Sequence, residues 1–115
     1  MAISSDIIRG HIDTIILAQL MKGDSYGYEI NKTVRQLTGD RFELKEATLY
    51  SAFRRLEEAG SISSYWGSND SGARRRYYCI SVKGRTEVQR QLQNWRETKD
   101  ILDRLLETGD EHHEE

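Results

Sequence analysis

The sequence predicts a mainly α-helical domain that contains one small β-hairpin and ends in a long helix. Apolar residues recur at three- and four-residue steps in four segments, which is typical of amphipathic helices. Between the third and fourth segments, two alternating runs flank the turn-forming stretch 67–72, which indicates a hairpin. The last helical segment extends over roughly 25 residues, or about 38 Å, which is longer than so small a domain needs.

Length and composition limit the classes of protein to consider. The chain has 115 residues, one cysteine, no proline and a formal net charge of −2. This length suits a single domain. No run approaches the roughly 20 apolar residues of a membrane helix, and the N-terminus lacks the layout of a secretory signal. One cysteine cannot form an internal disulfide, so we expect a cytoplasmic protein.

The first helix is predicted over residues 6–21, with Ser5 as its N-cap. Its apolar side consists of Ile8, Ile12, Ile15, Ile16 and Leu20. The run 22–25 then interrupts the apolar pattern, and Gly23 suits a left-handed position after a helix end. The sequence therefore predicts a short turn before the second helix.

The second helix is predicted over about residues 26–37, with Asp24 or Ser25 as its N-cap. Its apolar stripe consists of Tyr26, Ile30, Val34 and Leu37. Phe42 and Leu44 alternate with polar residues after it. This alternation is too brief to predict more than a short strand or an extended connector.

The third helix is predicted over about residues 46–59, and Gly60 ends it. At 100° per residue its apolar side consists of Leu49, Ala52, Phe53 and Leu56. The opposite side consists of Ala47, Thr48, Ser51, Arg54, Arg55 and Glu58, with Tyr50 at the boundary. This second set is the face that solvent or a partner would meet.

A hairpin follows, with one strand over 62–66 and the return strand over 75–82. Alternation places Tyr78, Ile80 and Val82 on the inner face of the return strand. Cys79 falls on the other face, and we assign it no chemistry.

The last helix is predicted over about residues 84–108. Lys99 lies in the middle of its apolar stripe. That stripe consists of Val88, Leu92, Trp95, Leu102 and Leu106.

Three helices followed by a hairpin and a long helix form the winged helix-turn-helix arrangement, in which the third helix enters the major groove. The predicted division is a DNA-binding domain over 1–82 and a C-terminal dimerisation helix over 83–108. Residues 109–115 are polar and acidic, and we expect them to be disordered.

The charges are segregated along the chain. Residues 61–85 contain five basic side chains and one acidic one, whereas residues 86–115 contain four basic and nine acidic ones. A compact basic segment beside an acidic one suggests a surface that meets a polyanion. An ordinary solvated loop with three arginines is an equally good interpretation of charge alone.

Enzyme chemistry has little support in the sequence. Cys79 has no histidine near it in the chain, since the three histidines are His11, His112 and His113. A zinc-protease motif, a paired Cys-x-x-Cys and a glycine-rich phosphate loop are all missing. We predict no catalytic residue, no metal site and no cofactor.

Nucleic-acid binding has more support, because independent features agree. Small and hydroxyl side chains at Thr48 and Ser51, followed by Arg54 and Arg55, suit a helix that contacts base edges and phosphates. A solvent face with arginines for solubility is the plainer interpretation. The further candidate contacts are Tyr28, Tyr50, Arg74, Arg75 and Arg76.

The apolar stripe of the last helix is wider than one protomer can cover, so a second copy is the simplest partner. Trp95 is either a large packing residue at that interface or a flat surface on which a planar aromatic ligand stacks. Lys99, one turn away, argues against a sealed apolar interface, because an unpaired buried ammonium is costly.

The combined pattern resembles the PadR family of bacterial transcriptional regulators. The similar stretches are "GDSYGYEI", "ATLYSAFRRLEEAG", "ISSYWG" and "RRRYYCISVKG", and the resemblance covers about residues 6–108. The single C-terminal helix with its tryptophan is most similar to the small subfamily that includes the lactococcal multidrug-resistance regulator.

This resemblance implies a homodimeric repressor that binds an inverted-repeat operator on double-stranded DNA. It implies that the tryptophans at the position of Trp95 flank a pore between protomers, with Ile8, His11 and Thr14 contributing to its lining. Lys99 departs from the acidic residue of the multidrug-binding member, which argues against cationic ligands. A winged-helix adaptor that binds protein rather than DNA is the alternative function.

Overall fold

The computed structural model describes residues 5–68 and 72–107. Within these ranges the chain forms a mainly α-helical fold with one antiparallel two-stranded hairpin, which confirms the predicted class. The elements are α1 (Ser5–Arg9), α2 (Ile12–Leu20), α3 (Gly27–Leu37), α4 (Glu46–Glu58), β1 (Ile62–Ser68), β2 (Arg74–Ile80) and α5 (Val82–Leu106). The acidic segment 109–115, predicted to be disordered, lies outside the described residues.

The predicted first helix over 6–21 is wrong as a single element, because α1 and α2 are separated at Gly10 and His11. His11 has φ −114° and ψ 10°, outside the helical region, and its amide donates to the carbonyl of Ile8 at 2.7 Å. Glycine lowers helix propensity by about 1 kcal/mol, so the break occurs where the helix is weakest. Ser5 begins α1 itself rather than preceding it.

The hydrophobic core lies between α2, α3, α4, the hairpin and the first turns of α5. Ile16, Leu17 and Phe53 are almost completely buried, and the ring of Phe53 stacks on Tyr78 with centroids 3.8 Å apart. Leu37 is the exception to the predicted stripe of α3. Its side chain is 66% exposed, because it lies in the last turn, beyond the packed part of the helix.

The connection between α3 and α4 is an extended segment without strand pairing, which agrees with the connector alternative. Leu44 is 2% exposed and anchors this segment in the core. The Asn31 side chain holds its backbone: the amide nitrogen donates to the Leu44 carbonyl at 2.7 Å, and the amide oxygen accepts from the Leu44 N–H at 2.8 Å. The start of α4 is therefore tied to the middle of α3.

The segment before α3 pairs with the hairpin. Ser25 and Tyr78 exchange two backbone hydrogen bonds, of 3.1 and 2.7 Å, as an antiparallel bridge. The expected N-cap at Asp24 or Ser25 is wrong, since Tyr26 occupies that position with no side-chain cap. The Ser25 hydroxyl instead donates to Glu29 at 2.5 Å.

The hairpin ends two residues earlier than predicted, because Ser81 caps α5. Its hydroxyl accepts from the Gly84 amide at 3.0 Å, so Val82 begins the helix and is 82% exposed rather than facing the core. A Cβ at Gly84 would lie 2.2 Å from the Ser61 carbonyl oxygen, so only glycine allows α5 to pack this close to the hairpin.

Candidate nucleic-acid interface

Helix α4 presents its polar side chains on the surface away from the core. Ser51 and Arg54 are exposed, whereas Thr48 is half-buried beside the connector before the helix. The opposite face of α4 is anchored by four buried residues, Leu49, Ala52, Phe53 and Leu56. Burial of that apolar face fixes which side of α4 a groove of DNA would meet.

Tyr50 lies at the edge of this exposed face, next to the start of α3. It is 44% exposed, and its ring packs edge-to-face on Phe53 with centroids 5.5 Å apart. A Cβ at Gly27 would lie 2.8 Å from the Tyr50 hydroxyl, so the glycine makes room for the tyrosine. Tyr28, one residue further along α3, is 64% exposed.

These tyrosines border a cleft between α3, α4 and the hairpin, which we call the wing cleft. Its volume is about 680 Å³. The residues that line it are Tyr26, Gly27, Tyr28, Tyr50, Trp66, Arg74, Arg75, Arg76 and Tyr78. Three arginines and four tyrosines in one concave surface suit a phosphate backbone, which arginine, tyrosine and backbone amides bind.

The arginines of the wing cleft belong to strand β2 and lie on aromatic rings. The guanidinium carbon of Arg75 lies 4.4 Å from the ring centroid of Tyr26, and that of Arg74 lies 4.9 Å from Trp66. Such cation–π contacts contribute about 0.5–1 kcal/mol at exposed sites. These contacts therefore favour the observed orientations of the two side chains.

Arg76 connects the hairpin to α4. Its Nη2 lies 3.5 Å from Glu57 Oε1, and its Nε donates to Ser64 Oγ at 3.0 Å. The Ser64 hydroxyl in turn donates to Glu57 Oε2 at 2.6 Å. Arg76 borders the wing cleft, but part of its hydrogen-bonding capacity is engaged inside the protein.

Arg55 points from α4 toward α2 rather than toward the wing cleft. Its Nη2 donates to Asp13 Oδ1 at 2.5 Å, and its Nε donates to Asp13 Oδ2 at 3.3 Å. The hydrogen bond to Asp13 raises the pKa of the Arg55 guanidinium. The structure thus separates Arg55 from the other predicted DNA contacts and gives it an internal partner.

Arg55 and Asp13 lie at the edge of a cavity of about 370 Å³, which we call the Trp95 cavity. Two residues of the predicted ligand site, His11 and Trp95, pack edge-to-face in its wall with ring centroids 5.1 Å apart. Thr14, a third, donates a hydrogen bond to Gln91. The side chains that line the cavity come from α1, α2, α4 and α5 and the turn between α1 and α2.

An apolar groove of about 440 Å³ continues on the other side of His11 and Trp95, and Ile8 lines it. Lys99 lines neither space: its ammonium pairs with Asp103 at 3.2 Å, and its side chain is 60% exposed. In this protomer Lys99 therefore does not belong with the other four predicted ligand residues.

The five predicted dimerisation residues divide into two groups. Val88 is 0% exposed in the core of its own protomer, so its prediction as a dimer contact is wrong, and Leu92 packs against the same core. Trp95, Leu102 and Leu106 are 40%, 43% and 77% exposed. The apolar stripe of α5 is therefore buried in the first turns, which pack against the domain, and exposed in the later turns.

The part of the chain that the structure describes contains neither a group of potential metal ligands nor a helix suited to a bilayer. No three His, Cys, Asp or Glu side chains in it are grouped as metal ligands would be. None of the helices in 5–68 and 72–107 combines the length and apolar character that crossing a bilayer requires.

The family model of the transcriptional regulator PadR-like family matches residues 16–90, which include α4 and the whole hairpin. The chain belongs to the PadR-like family of transcriptional regulators. A transcriptional regulator from Clostridium thermocellum is 48% identical, with a TM-score of 0.81 over 90% of this chain and 97% of that one. A PadR-family regulator from Clostridium difficile is 38% identical, with a TM-score of 0.74 over 84% of this chain and 98% of that one.

An uncharacterised protein from Lysinibacillus sphaericus is 42% identical to this PadR-like chain over 105 residues, which cover 91% of the chain and 96% of the relative. PadR-family members are transcription regulators rather than enzymes, and they bind DNA and are typically dimeric. The winged helix-turn-helix prediction is confirmed by this match of fold and family.

Sequence reasoning missed three residues that organise the sites of this PadR-like protein. Asp13 holds Arg55, Glu57 holds Arg76, and Trp66 contacts Arg74. A signal existed only for Trp66, because a large aromatic side chain in a hairpin reaches the residues opposite and diagonal to it on the other strand. The two acidic residues act over tertiary distances that no local pattern indicates.

Proposed function

We propose that this PadR-like chain is a homodimeric repressor that binds an inverted-repeat operator on double-stranded DNA in the cytoplasm. The observation that supports this function best is the wing cleft, in which the arginines of β2 and the tyrosines of α3 and α4 border one concave surface. Its neighbour, the exposed face of α4, has the small and basic side chains that suit a major groove.

In this proposal α4 reads the bases and the hairpin holds the backbone. Ser51 and Arg54 reach base edges, since hydroxyl and guanidinium groups match the donors and acceptors there. Arg74 and Arg75 contact phosphates beside the groove, where positive charge acts on any sequence. Tyr28 and Tyr50 add hydroxyl contacts from the other wall of the wing cleft.

The proposed dimer forms through the exposed end of α5. Four apolar side chains at this end are between 43% and 77% exposed: Ile101, Leu102, Leu105 and Leu106. A second copy of the chain would cover this apolar surface and remove the free-energy cost of its exposure to water. The apolar groove beside His11 and Trp95 suits the α5 end of the other protomer. Two recognition helices about 34 Å apart would then meet successive major grooves.

We further propose that the Trp95 cavities of two protomers face each other and hold a planar aromatic ligand, as in the small subfamily that includes the lactococcal multidrug-resistance regulator. His11, Thr14 and Trp95 line the cavity in one protomer. A ligand there would release DNA by favouring a different spacing of the two α4 helices. It shifts that equilibrium only by its difference in affinity for the two arrangements.

A gel shift against the DNA upstream of the gene, at two salt concentrations, tests this function. A repressor binds specifically, and its affinity falls steeply with salt as counterions return to the phosphates. Absence of binding even at low salt would favour the protein-binding adaptor. Sedimentation at micromolar concentration tests the dimer, and Leu102→Asp should give single chains if the α5 end is the interface.

A further inference from the structure

On one face of the hairpin, an exposed tryptophan lies between two arginines. Trp66 pairs directly with Arg76 across the strands and lies diagonally from Arg74. The guanidinium carbons lie 6.0 and 4.9 Å from the Trp66 ring centroid, respectively. Both distances are within the range of cation–π attraction, which is about 6 Å.

Arg74, Trp66 and Arg76 are connected to α4 through Glu57. Glu57 holds Arg76 by an ion pair of 3.5 Å, and Ser64 bonds to both of them. Arg76 thus has a fixed place relative to the recognition helix. Arg74 lies at the far end of β2, next to the loop, and meets this anchored group through the indole ring.

We propose that Trp66 is a positioning residue for DNA binding, which holds Arg74 at a set distance from α4 so that Arg74 meets a phosphate while α4 lies in the groove. The inference rests on the proposed function. A long arginine side chain that is already ordered loses less conformational entropy on binding than a free one. The ring therefore strengthens the Arg74 contact by ordering the arginine before DNA binds.

The main test measures binding of a fluorescein-labelled duplex from the upstream region by anisotropy. Trp66→Ala should weaken binding by about fivefold, the upper value of a cation–π contact at an exposed site. The dependence of affinity on salt should not change, since every cation remains, whereas Arg74→Ala should reduce the salt slope by about one. Trp66→Phe keeps a ring and should stay within about twofold of the wild type.

A double-mutant cycle separates positioning from direct contact. If Trp66 acts through Arg74, then Trp66→Ala has almost no further effect in an Arg74→Ala protein. A full fivefold loss in that background would overturn the proposal, because Trp66 would then act without Arg74. An unchanged affinity of Trp66→Ala in the wild-type background would overturn it too. Far-UV circular dichroism checks that each variant is folded.

A measurement without DNA distinguishes this proposal from the proposed function. In a Trp95→Phe protein, Trp66 is the sole tryptophan, and acrylamide quenching reports how well its ring is covered. Arg74→Ala should increase that quenching, and no change would show that the two groups are not stacked in solution. If quenching behaves as expected but the wild type binds no DNA at low salt, the proposed function fails and this role fails with it.

Discussion

The carboxylate of Asp13 and the guanidinium of Arg55 form a two-point ion pair that joins α2 to α4 across 42 residues of sequence. The pair lies at the edge of the Trp95 cavity. It therefore connects α4 directly to the site where we propose that a ligand binds. Two parallel N–H···O contacts make this a geometrically specific connection.

We expect Asp13→Asn to lower the free energy of unfolding by about 0.5–1 kcal/mol, because the pair is bidentate but partly exposed. Urea unfolding at one protein concentration measures it. Asp6→Asn is the matched control, since Asp6 pairs with Arg9 within α1 at 84% side-chain exposure and should change little. Equal losses in the two variants would show that the Asp13 pair has no special role.

Arg75→Ala should weaken binding to every duplex and reduce the slope of log affinity against log salt by about one, because one phosphate contact is lost. Anisotropy titrations at three salt concentrations measure the slope. Arg90→Ala removes a cation that pairs with Glu87 on α5, outside the wing cleft, and should leave the slope alone. An unchanged slope for Arg75→Ala would show that Arg75 makes no phosphate contact.

Arg54→Ala should change base preference rather than overall affinity. If Arg54 contacts a base edge, it should favour the matching base pair over the other base pairs by about 1–3 kcal/mol at one position of the binding site. Duplexes with single base-pair changes, titrated with wild type and variant, show which position loses its preference. A uniform loss across all duplexes would instead indicate that Arg54 binds a phosphate.

Trp95→Ala should abolish the binding of a planar aromatic dye such as acridine without dissociating the dimer. Acridine should quench the Trp95 emission of a Trp66→Phe protein, and it should leave the Trp66 emission of Trp95→Ala unchanged. Sedimentation of both variants reports their oligomeric state. Quenching that persists in Trp95→Ala would leave Trp95 as a packing residue only.

The pKa of Tyr65 should lie above the ordinary tyrosine value, because its hydroxyl donates to Asp24 at 2.7 Å and this bond raises the pKa to about 12. A raised pKa means that the contribution to folding stability is complete below about pH 10, the ordinary tyrosine pKa, and is lost as the pH rises through about 12. Asp24→Asn should move the Tyr65 pKa toward 10 in a carbon-13 NMR titration that compares the variant with the wild type.

The elements whose signals are local were predictable from the sequence. Helix α4 was expected over 46–59 and forms over Glu46–Glu58, because its apolar side chains repeat at helical spacing and Gly60 follows it. The hairpin was expected from alternation around a glycine- and serine-rich turn. Its boundary at Ile80 was missed, because Ser81 as a helix cap outweighs the β preference of Val82.

What could not be predicted depends on tertiary neighbours. Periodicity places Val88 and Leu102 on one face of α5, but it does not say that the domain covers Val88 completely and leaves Leu102 43% exposed. Helical spacing likewise places Arg55 opposite the core of α4, but not against Asp13. Patterns along a chain describe the face of an element, whereas the partner of that face depends on the packing of the whole fold.

The backbone bridge between Ser25 and Tyr78 limits the conformational changes that a ligand could cause in this protein. Together with the Glu57–Arg76 pair, it ties the hairpin to the turn before α3 and to the end of α4. In the dimer that we propose, we expect each DNA-binding domain to move as one body. A ligand would then change DNA binding by changing the orientation of one domain relative to the other. Ligand binding should then change the distances between spin labels on the two domains of the dimer. Distances between labels within one domain should stay constant.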